Sequence, residues 1–318
     1  MLALKAETGA STCGEDFFVE VPSDFRCESG DALPDVHVRL RLYGDLRQPL
    51  IVVAGGISSG RCLHEWWGDQ VAEGGAIDLT RYCALGFDFA PTEDQRVRLS
   101  PLDQARLVAI ALEQLGVRRV HAWVGASYGA MVGLAFAAEA PLRLDRLCAI
   151  SAAHKPAALA RGWRGVQRRV VEFALAQGAV EEGLSLARQL AMITYRSAEE
   201  FDLRFPGTVG EDGRSDLDRY LVARGDAYVS AMAPQRWLSL SESIDRLDVD
   251  PSRVSAEVTL AACPTDQIAP LESIAELSRK LPNLRVLHEL PSLFGHDAFL
   301  KEPAQVAAII RSCLEGAE

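Results

Sequence analysis

An α/β protein is predicted, with a mainly parallel sheet, helices on both of its faces and a helical lid inserted late in the chain. Three observations predict it. Short, largely apolar runs at 49–54, 82–89, 146–151 and 257–263 have the pattern of strands covered on both faces, and helix-spaced segments separate them. At 120–133 a β-branched and aromatic run meets Gly125-Ala126-Ser127-Tyr128-Gly129 and continues as a small-residue segment able to be helical. From Pro156 to about Asp245 the chain is rich in Ala, Leu, Arg and Glu at helical spacing, and no buried strand interrupts it.

In chain order, the first thirty-odd residues carry no assignable pattern. From Val36, apolar Val36, Val38, Leu40 and Leu42 alternate with polar residues, which predicts an antiparallel edge strand with one face buried. The run at 49–54 follows as a buried strand and ends in Gly55-Gly56-Ile57. A connection containing Trp66-Trp67 and Gly74-Gly75 leads to the strand at 82–89, and the paired tryptophans read as packing. Ser100-Pro101-Leu102-Asp103 opens a helix with an N-cap serine, a first-turn proline and an acid suited to the dipole. Leu102, Ala105, Ala109, Leu112 and Leu115 mark its buried face, and Gly116 closes it. Pro141 ends regular structure before the strand at 146–151. Beyond the insertion come the strand at 257–263, a helix over 270–281, a strand over 284–290, a loop with Gly295-His296-Asp297, and a helix near 305–314. The expected organisation is a core of 1–155 with 246–318, and a lid of 156–245.

Composition excludes several classes. A chain of 318 residues, 48% hydrophobic, buries a full core. Its apolar runs are too short to span a bilayer and its start lacks the features of a signal peptide, so a soluble, cytoplasmic protein is expected. Seven scattered cysteines without a Cys-x-x-Cys read as free thiols, with neither a zinc site nor a disulfide framework. A net charge of -11 argues against a nucleic-acid surface while leaving room for a local basic pocket.

The chemistry-bearing residues fall in a telling order. Ser127 sits where a strand turns sharply into a helix, the setting that exposes a serine oxygen at the tip of the turn. Asp266 follows a later strand and His296 lies in the loop after the last one, so the order Ser, Asp, His is that of the α/β-hydrolase fold. A serine hydroxyl alone is a poor nucleophile; His296 would take its proton and Asp266 would hold the imidazole in the required tautomer. The remaining histidines, His37, His64, His121, His154 and His288, sit on strands or in connections and read as structural. Gly55 and Tyr128 are the candidate backbone donors to an oxyanion. From its own segment alone, the Gly55-Gly56 pair reads equally well as a tight turn.

The string Gly295-His296-Asp297-Ala298-Phe299-Leu300 resembles the signature of the homoserine O-acetyltransferase family, acyltransferases on the α/β-hydrolase fold. Trp66-Trp67 with Gly75-Ala76-Ile77-Asp78, the elbow, the lid segment from Ala187-Arg188 to Tyr195-Arg196-Ser197, and Trp237 with Ser243-Ile244-Asp245 agree with it. The resemblance covers most of 36–314. It implies a ping-pong reaction: Ser127 takes an acyl group from an acyl-CoA, acetyl before succinyl, and passes it to the side-chain hydroxyl of L-homoserine. It also implies Arg188 on the α-carboxylate, with Tyr195 reaching the pocket two helical turns later, and Asp297 on the α-ammonium. No bound cofactor, a homodimer and a place in methionine or other sulfur amino-acid biosynthesis follow from it as well. Without the resemblance, Arg188 reads as a surface salt bridge. Arg161, Arg164, Arg168 and Arg169 read as a solvated helix face, or as partners for CoA phosphates.

The chain departs from the family where the elbow reads Gly-Ala-Ser-Tyr-Gly-Ala and where Gly55-Gly56-Ile57 replaces a Leu-Thr-Gly string. These departures leave succinyl-CoA and L-serine open as substrates. Arg61, just past the glycine pair, is the candidate cation for a succinyl carboxylate. A carboxylesterase using the same triad is the reading from another reaction class.

Overall fold

The computed structural model describes residues 5–7, 14–34, 37–140, 142–207 and 209–315; Val36 and Pro141 lie outside them. Three strands open the chain: β1 (Lys5–Glu7), β2 (Glu15–Glu20) and β3 (His37–Tyr43). Strand β4 (Leu50–Ala54) is buried at every position, as its unbroken apolar run requires. A short helix α1 (Leu63–Trp67) and a two-stranded ribbon, β5 (Val71–Ala72) with β6 (Ile77–Asp78), occupy the connection to β7 (Cys83–Phe87). Next come helix α2 (Pro101–Gln114), strand β8 (Arg119–Ala126), helix α3 (Tyr128–Glu139) and strand β9 (Arg143–Ile150). Helix α2 starts in a reciprocal capping box between Ser100 and Asp103, and Gly116 follows its end at φ +78°.

Among the described residues five helices then run without an intervening sheet strand: α4 (Ala158–Gln177), α5 (Val180–Tyr195), α6 (Ala198–Arg204), α7 (Asp216–Val229) and α8 (Pro234–Asp245). The sheet resumes with β10 (Glu257–Ala262), followed by α9 (Leu271–Lys280), β11 (Leu284–Glu289), α10 (Ala298–Lys301) and α11 (Pro303–Glu315).

Among the described residues the main sheet has the order β1-β2-β3-β7-β4-β8-β9-β10-β11. All pairs from β7 to β11 are parallel, and β1, β2 and β3 add on antiparallel. The fold is the expected α/β architecture, with one correction at its margin. Strand β3 is interior, because β2 pairs along its whole length from Glu15 opposite Leu42 to Glu20 opposite His37. Six residues of mixed polarity in β2 give too short a pattern to be read as a strand unaided; the pairing edge of β3 supplies what the sequence does not.

Alternation through the sheet divides the core in two. Val52, Trp123 and Leu260 face one layer, with α2 and α3; Ile51, Val53, Ala122 and Val124 face the other, with α11. A third apolar cluster, including Val171, Leu184, Tyr228 and Trp237, holds four of the inserted helices, α4, α5, α7 and α8, together. No described helix is long and apolar enough to cross a membrane.

Candidate active site

The site begins with backbone strain. Ser127 has φ +53° and ψ -123°, a conformation that a non-glycine residue keeps only when its surroundings enforce it. Those surroundings are visible on both sides of it. The Ser127 N–H donates to Ile150 O at 2.9 Å, and the Gly129 N–H donates to Gly55 O at 2.7 Å. A Cβ on Gly129 would lie 2.3 Å from Ala54 O, and one on Gly125 would lie 2.6 Å from Ala130 Cα, so only glycine lets α3 start this close to β4 and β8. The Trp123 indole N–H closes the turn by donating to Gly129 O at 2.9 Å.

The three residues read from the sequence as a triad are brought together. Ser127 Oγ lies 2.7 Å from His296 Nε2, and His296 Nδ1 lies 2.7 Å from Asp266 Oδ2. A carboxylate only accepts, so the proton of the neutral ring sits on Nδ1 and leaves Nε2 to accept from the serine hydroxyl. Asp266 is itself fixed, its Oδ1 accepting from the Ile268 and Ala269 N–H groups at 2.8 and 2.9 Å. Burial alone would push the His296 pKa down, yet the charge and hydrogen bond of Asp266, with Asp297 adding to them, carry it above the ordinary 6.5. A base must be neutral to act. Ser127-dependent cleavage of a small ester is therefore expected to fall as pH drops through a value above 6.5, which a pH–rate profile measures.

The two expected oxyanion donors fare differently. Tyr128 lines the cavity over Ser127 and is the first residue of α3, where a helical N–H has no intrahelical acceptor. Its side chain serves the fold, with Tyr128 Oη 2.6 Å from Ser243 Oγ. Gly55 lies beneath the elbow: its carbonyl is taken by Gly129, and a Cβ there would meet Ser59 Oγ at 2.3 Å. On this side the cavity wall is formed by Gly56, Ile57, Ser58 and Ser59, so the glycine pair borders the cavity and Gly56 joins Gly55 as a candidate second donor. The paired tryptophans act as packing, as expected. Trp66 and Trp67 stack at 5.1 Å, and their indole N–H groups donate to Gly60 O and Phe299 O, tying this loop to the histidine segment.

The lid presses directly on the triad. Gly295 has φ +54°, and a Cβ there would come within 2.4 Å of Tyr195 O at the end of α5. Tyr195 lines the cavity with its ring 5.5 Å from that of His296. Arg188, two turns earlier on α5, lies between two aromatic faces, its guanidinium carbon 4.6 Å from the Tyr228 ring and 5.7 Å from the Tyr195 ring. It also lines the cavity, its Nε is buried without a hydrogen-bond partner, and no carboxylate among the described residues pairs with it. The surface salt bridge is thus not what Arg188 forms. Asp297 lines the same cavity and accepts from Arg196 Nε at 2.9 Å; Arg196 in turn meets Glu200 at 3.2 Å.

Three arginine expectations are corrected. Arg61 faces away from the cavity, held by Asp88 at 2.7 Å and Asp16 at 3.1 Å, so no acyl carboxylate reaches it. Arg164 and Arg168 are neither solvated nor turned to the outside: both close on Asp245, at 2.6 and 2.7 Å, and fasten α4 to α8. Arg161 and Arg169 are exposed, as a solvated face requires. Sequence reasoning passed over Tyr228, Gly56, Gln167 and the cavity role of Arg164. A signal for two of them was present: Ala160, Arg164, Gln167, Val171 and Ala174 form the buried stripe of α4 at spacings of four and three, and polar residues on such a stripe point inward. For Tyr228 there was none, since its partners Ser58 and Arg188 lie far away in sequence.

A groove of about 470 Å³ between Leu190, Ile193, Phe201 and Leu217 shares Trp163 and Thr194 with the wall of this cavity. Among the described residues no three of His, Cys, Asp and Glu are grouped as a metal site.

Residues 48–303 match the family described as the alpha/beta hydrolase fold. The chain is 38% identical over 292 residues to a protein of Xanthomonas campestris named homoserine O-succinyltransferase, covering 88% of this chain and 79% of that one. It is 31% identical over 305 residues to a homoserine O-acetyltransferase of Deinococcus radiodurans, covering 90% and 89%. The crystal structure of homoserine O-acetyltransferase from Bacillus anthracis superposes with a TM-score of 0.83 over 99% of both chains at 16% identity, a likeness of fold. With a strained serine at the elbow, a histidine and aspartate in register behind it and relatives of this identity along most of its length, the chain belongs to the homoserine O-acyltransferase family of the α/β-hydrolase fold.

Proposed function

We propose that this chain moves an acyl group from an acyl-CoA to the side-chain hydroxyl of L-homoserine through a covalent Ser127 intermediate. The observation that carries this reading is Arg188: a guanidinium inside the cavity, stacked between Tyr195 and Tyr228, with a buried donor and no carboxylate among the described residues to receive it. A cation kept unpaired beside a nucleophile suits an anionic substrate group, and a planar fork suits a carboxylate. Asp297, across the same cavity, complements an ammonium. Together they match an α-amino acid. Water, the acceptor in an esterase, needs neither.

In the first half-reaction Ser127 Oγ gives its proton to His296 Nε2 as it bonds to the thioester carbonyl carbon. The N–H groups of Tyr128 and Gly56 support the oxyanion. The C–S bond then breaks, and the CoA sulfur leaves with the proton from His296. In the second half-reaction the homoserine hydroxyl passes its proton to His296 and attacks the Ser127 ester; the C–O bond to Ser127 breaks and the serine oxygen recovers a proton. Held by Arg188 and Asp297, the acceptor occupies the space water would need. No cofactor enters either half.

Thiol release from acetyl-CoA and from succinyl-CoA, each alone, with L-homoserine and with L-serine, tests the reading. Release that depends on L-homoserine is expected. Equal release with and without an amino acid would make the protein a thioester hydrolase instead.

A further inference from the structure

We propose that the acyl group carried by this enzyme has a carboxylate at its far end, as in a succinyl-type donor, and that Arg164 receives it. The inference rests on the acyltransferase reading, and it reverses the sequence-based order of acetyl before succinyl. It starts from the charges around the cavity. Arg164 is 7% exposed and lines the same wall as Ser127 and His296. Its Nε and Nη2 both donate to one oxygen, Asp245 Oδ1, at 2.9 and 2.6 Å. Arg168 occupies the other oxygen of that carboxylate. Two guanidinium groups thus share one buried carboxylate, and one positive charge is left over at the inner wall; the matching excess of carboxylate, Glu172 and Glu242 on Arg96, lies nearer solvent on the same two helices.

The remaining charges do not cancel it. Asp297 and Glu200 are matched by Arg196 and Arg204, and Asp266 is committed to His296. Arg188 has no carboxylate partner among the described residues. The cavity of a chain with net charge -11 therefore carries two surplus cations, close enough that Arg164 opposes protonation of His296. Guanidinium charge held in a cavity without full counter-charge is costly, and a site that keeps it is matched to anions that arrive with the substrates. An amino-acid acceptor brings one carboxylate, for Arg188, and its ammonium is answered by Asp297. An acetyl group brings none. The phosphates of CoA lie at the far end of the pantetheine arm, outside the cavity, whereas Arg164 shares the inner wall with the nucleophile. A carboxylate on the acyl chain is the group that reaches it. Gln167, one turn along the buried stripe of α4 and also in the cavity wall, offers a neutral donor beside it.

The test compares succinyl-CoA with acetyl-CoA in L-homoserine-dependent thiol release, for the native protein, Arg164→Gln and Arg164→Lys. The native protein is expected to favour succinyl-CoA in kcat/KM by about 100-fold, and Arg164→Gln to lower that ratio by about 100-fold through the succinyl arm, with Arg164→Lys between the two. If Arg164 only fastens α4 to α8, both donors fall together and the ratio stays put, which overturns the proposal. Should the variants fail to fold, the native protein alone decides: mixed with equal acetyl-CoA and succinyl-CoA, its Ser127 peptide carries succinyl by mass spectrometry if the proposal holds and acetyl if it does not. Failure of the transferase reading looks different, with no amino-acid dependence for either donor.

Discussion

Ser127→Ala is expected to lower L-homoserine-dependent thiol release by roughly 10⁵-fold, because the side chain removed is the proposed nucleophile and the hydroxyl that engages His296 Nε2 at 2.7 Å. The remaining activity would be what binding and backbone donors supply without a covalent step. The fold is expected to survive, since the elbow is held by backbone bonds from Ser127 N–H to Ile150 O and from Gly129 N–H to Gly55 O. Thiol release and the melting temperature, measured on the same preparation, separate loss of chemistry from loss of structure. A variant that keeps more than about a hundredth of native activity would remove Ser127 from the covalent role.

Arg188→Ala is expected to raise the KM for L-homoserine by about 10²- to 10³-fold, the effect of truncating one partner of a buried charged pair, while Ser127 still becomes acylated. Water then reaches the ester, so slow thiol release independent of amino acid replaces transfer. Mass spectrometry of the Ser127 peptide reads the first half-reaction, and the acceptor dependence of thiol release reads the second. Because Arg188 also fills the gap between Tyr195 and Tyr228, Arg188→Lys is the control: it keeps a cation and most of the packing but loses the planar fork, and an intermediate KM is expected. An unchanged KM in both variants would detach the carboxylate-binding role from Arg188.

Much of this site was legible in the chain. The unbroken apolar run of β4, the capping box of α2, and the placement of Ser127, Asp266 and His296 after successive strands depend on neighbours within a few residues, and such local rules hold wherever the segment ends up. What sequence reasoning missed had a common cause. Arg61 looked available beside the glycine pair, yet Asp16 and Asp88, from β2 and from the loop after β7, close on it. Gly56 went unremarked as a donor beside Gly55, yet the turn puts Gly56 and Ile57 at the surface of the cavity. Strand β3 looked like an edge until β2 covered it.

By itself, then, the sequence determined the alternating α/β architecture, the elbow and which serine, histidine and aspartate the fold brings together, because periodicity, caps and glycine requirements are short-range physics. The tertiary structure alone decided which arginines are spoken for. Asp245 meets Arg164 across 81 residues of chain, and Tyr228 meets Ser58 across 170. No spacing rule reaches that far: whether a cation is neutralised or left for a substrate depends on which carboxylate the packing brings to it, and among the described residues the packing left Arg188 without one and gave Arg164 half of one.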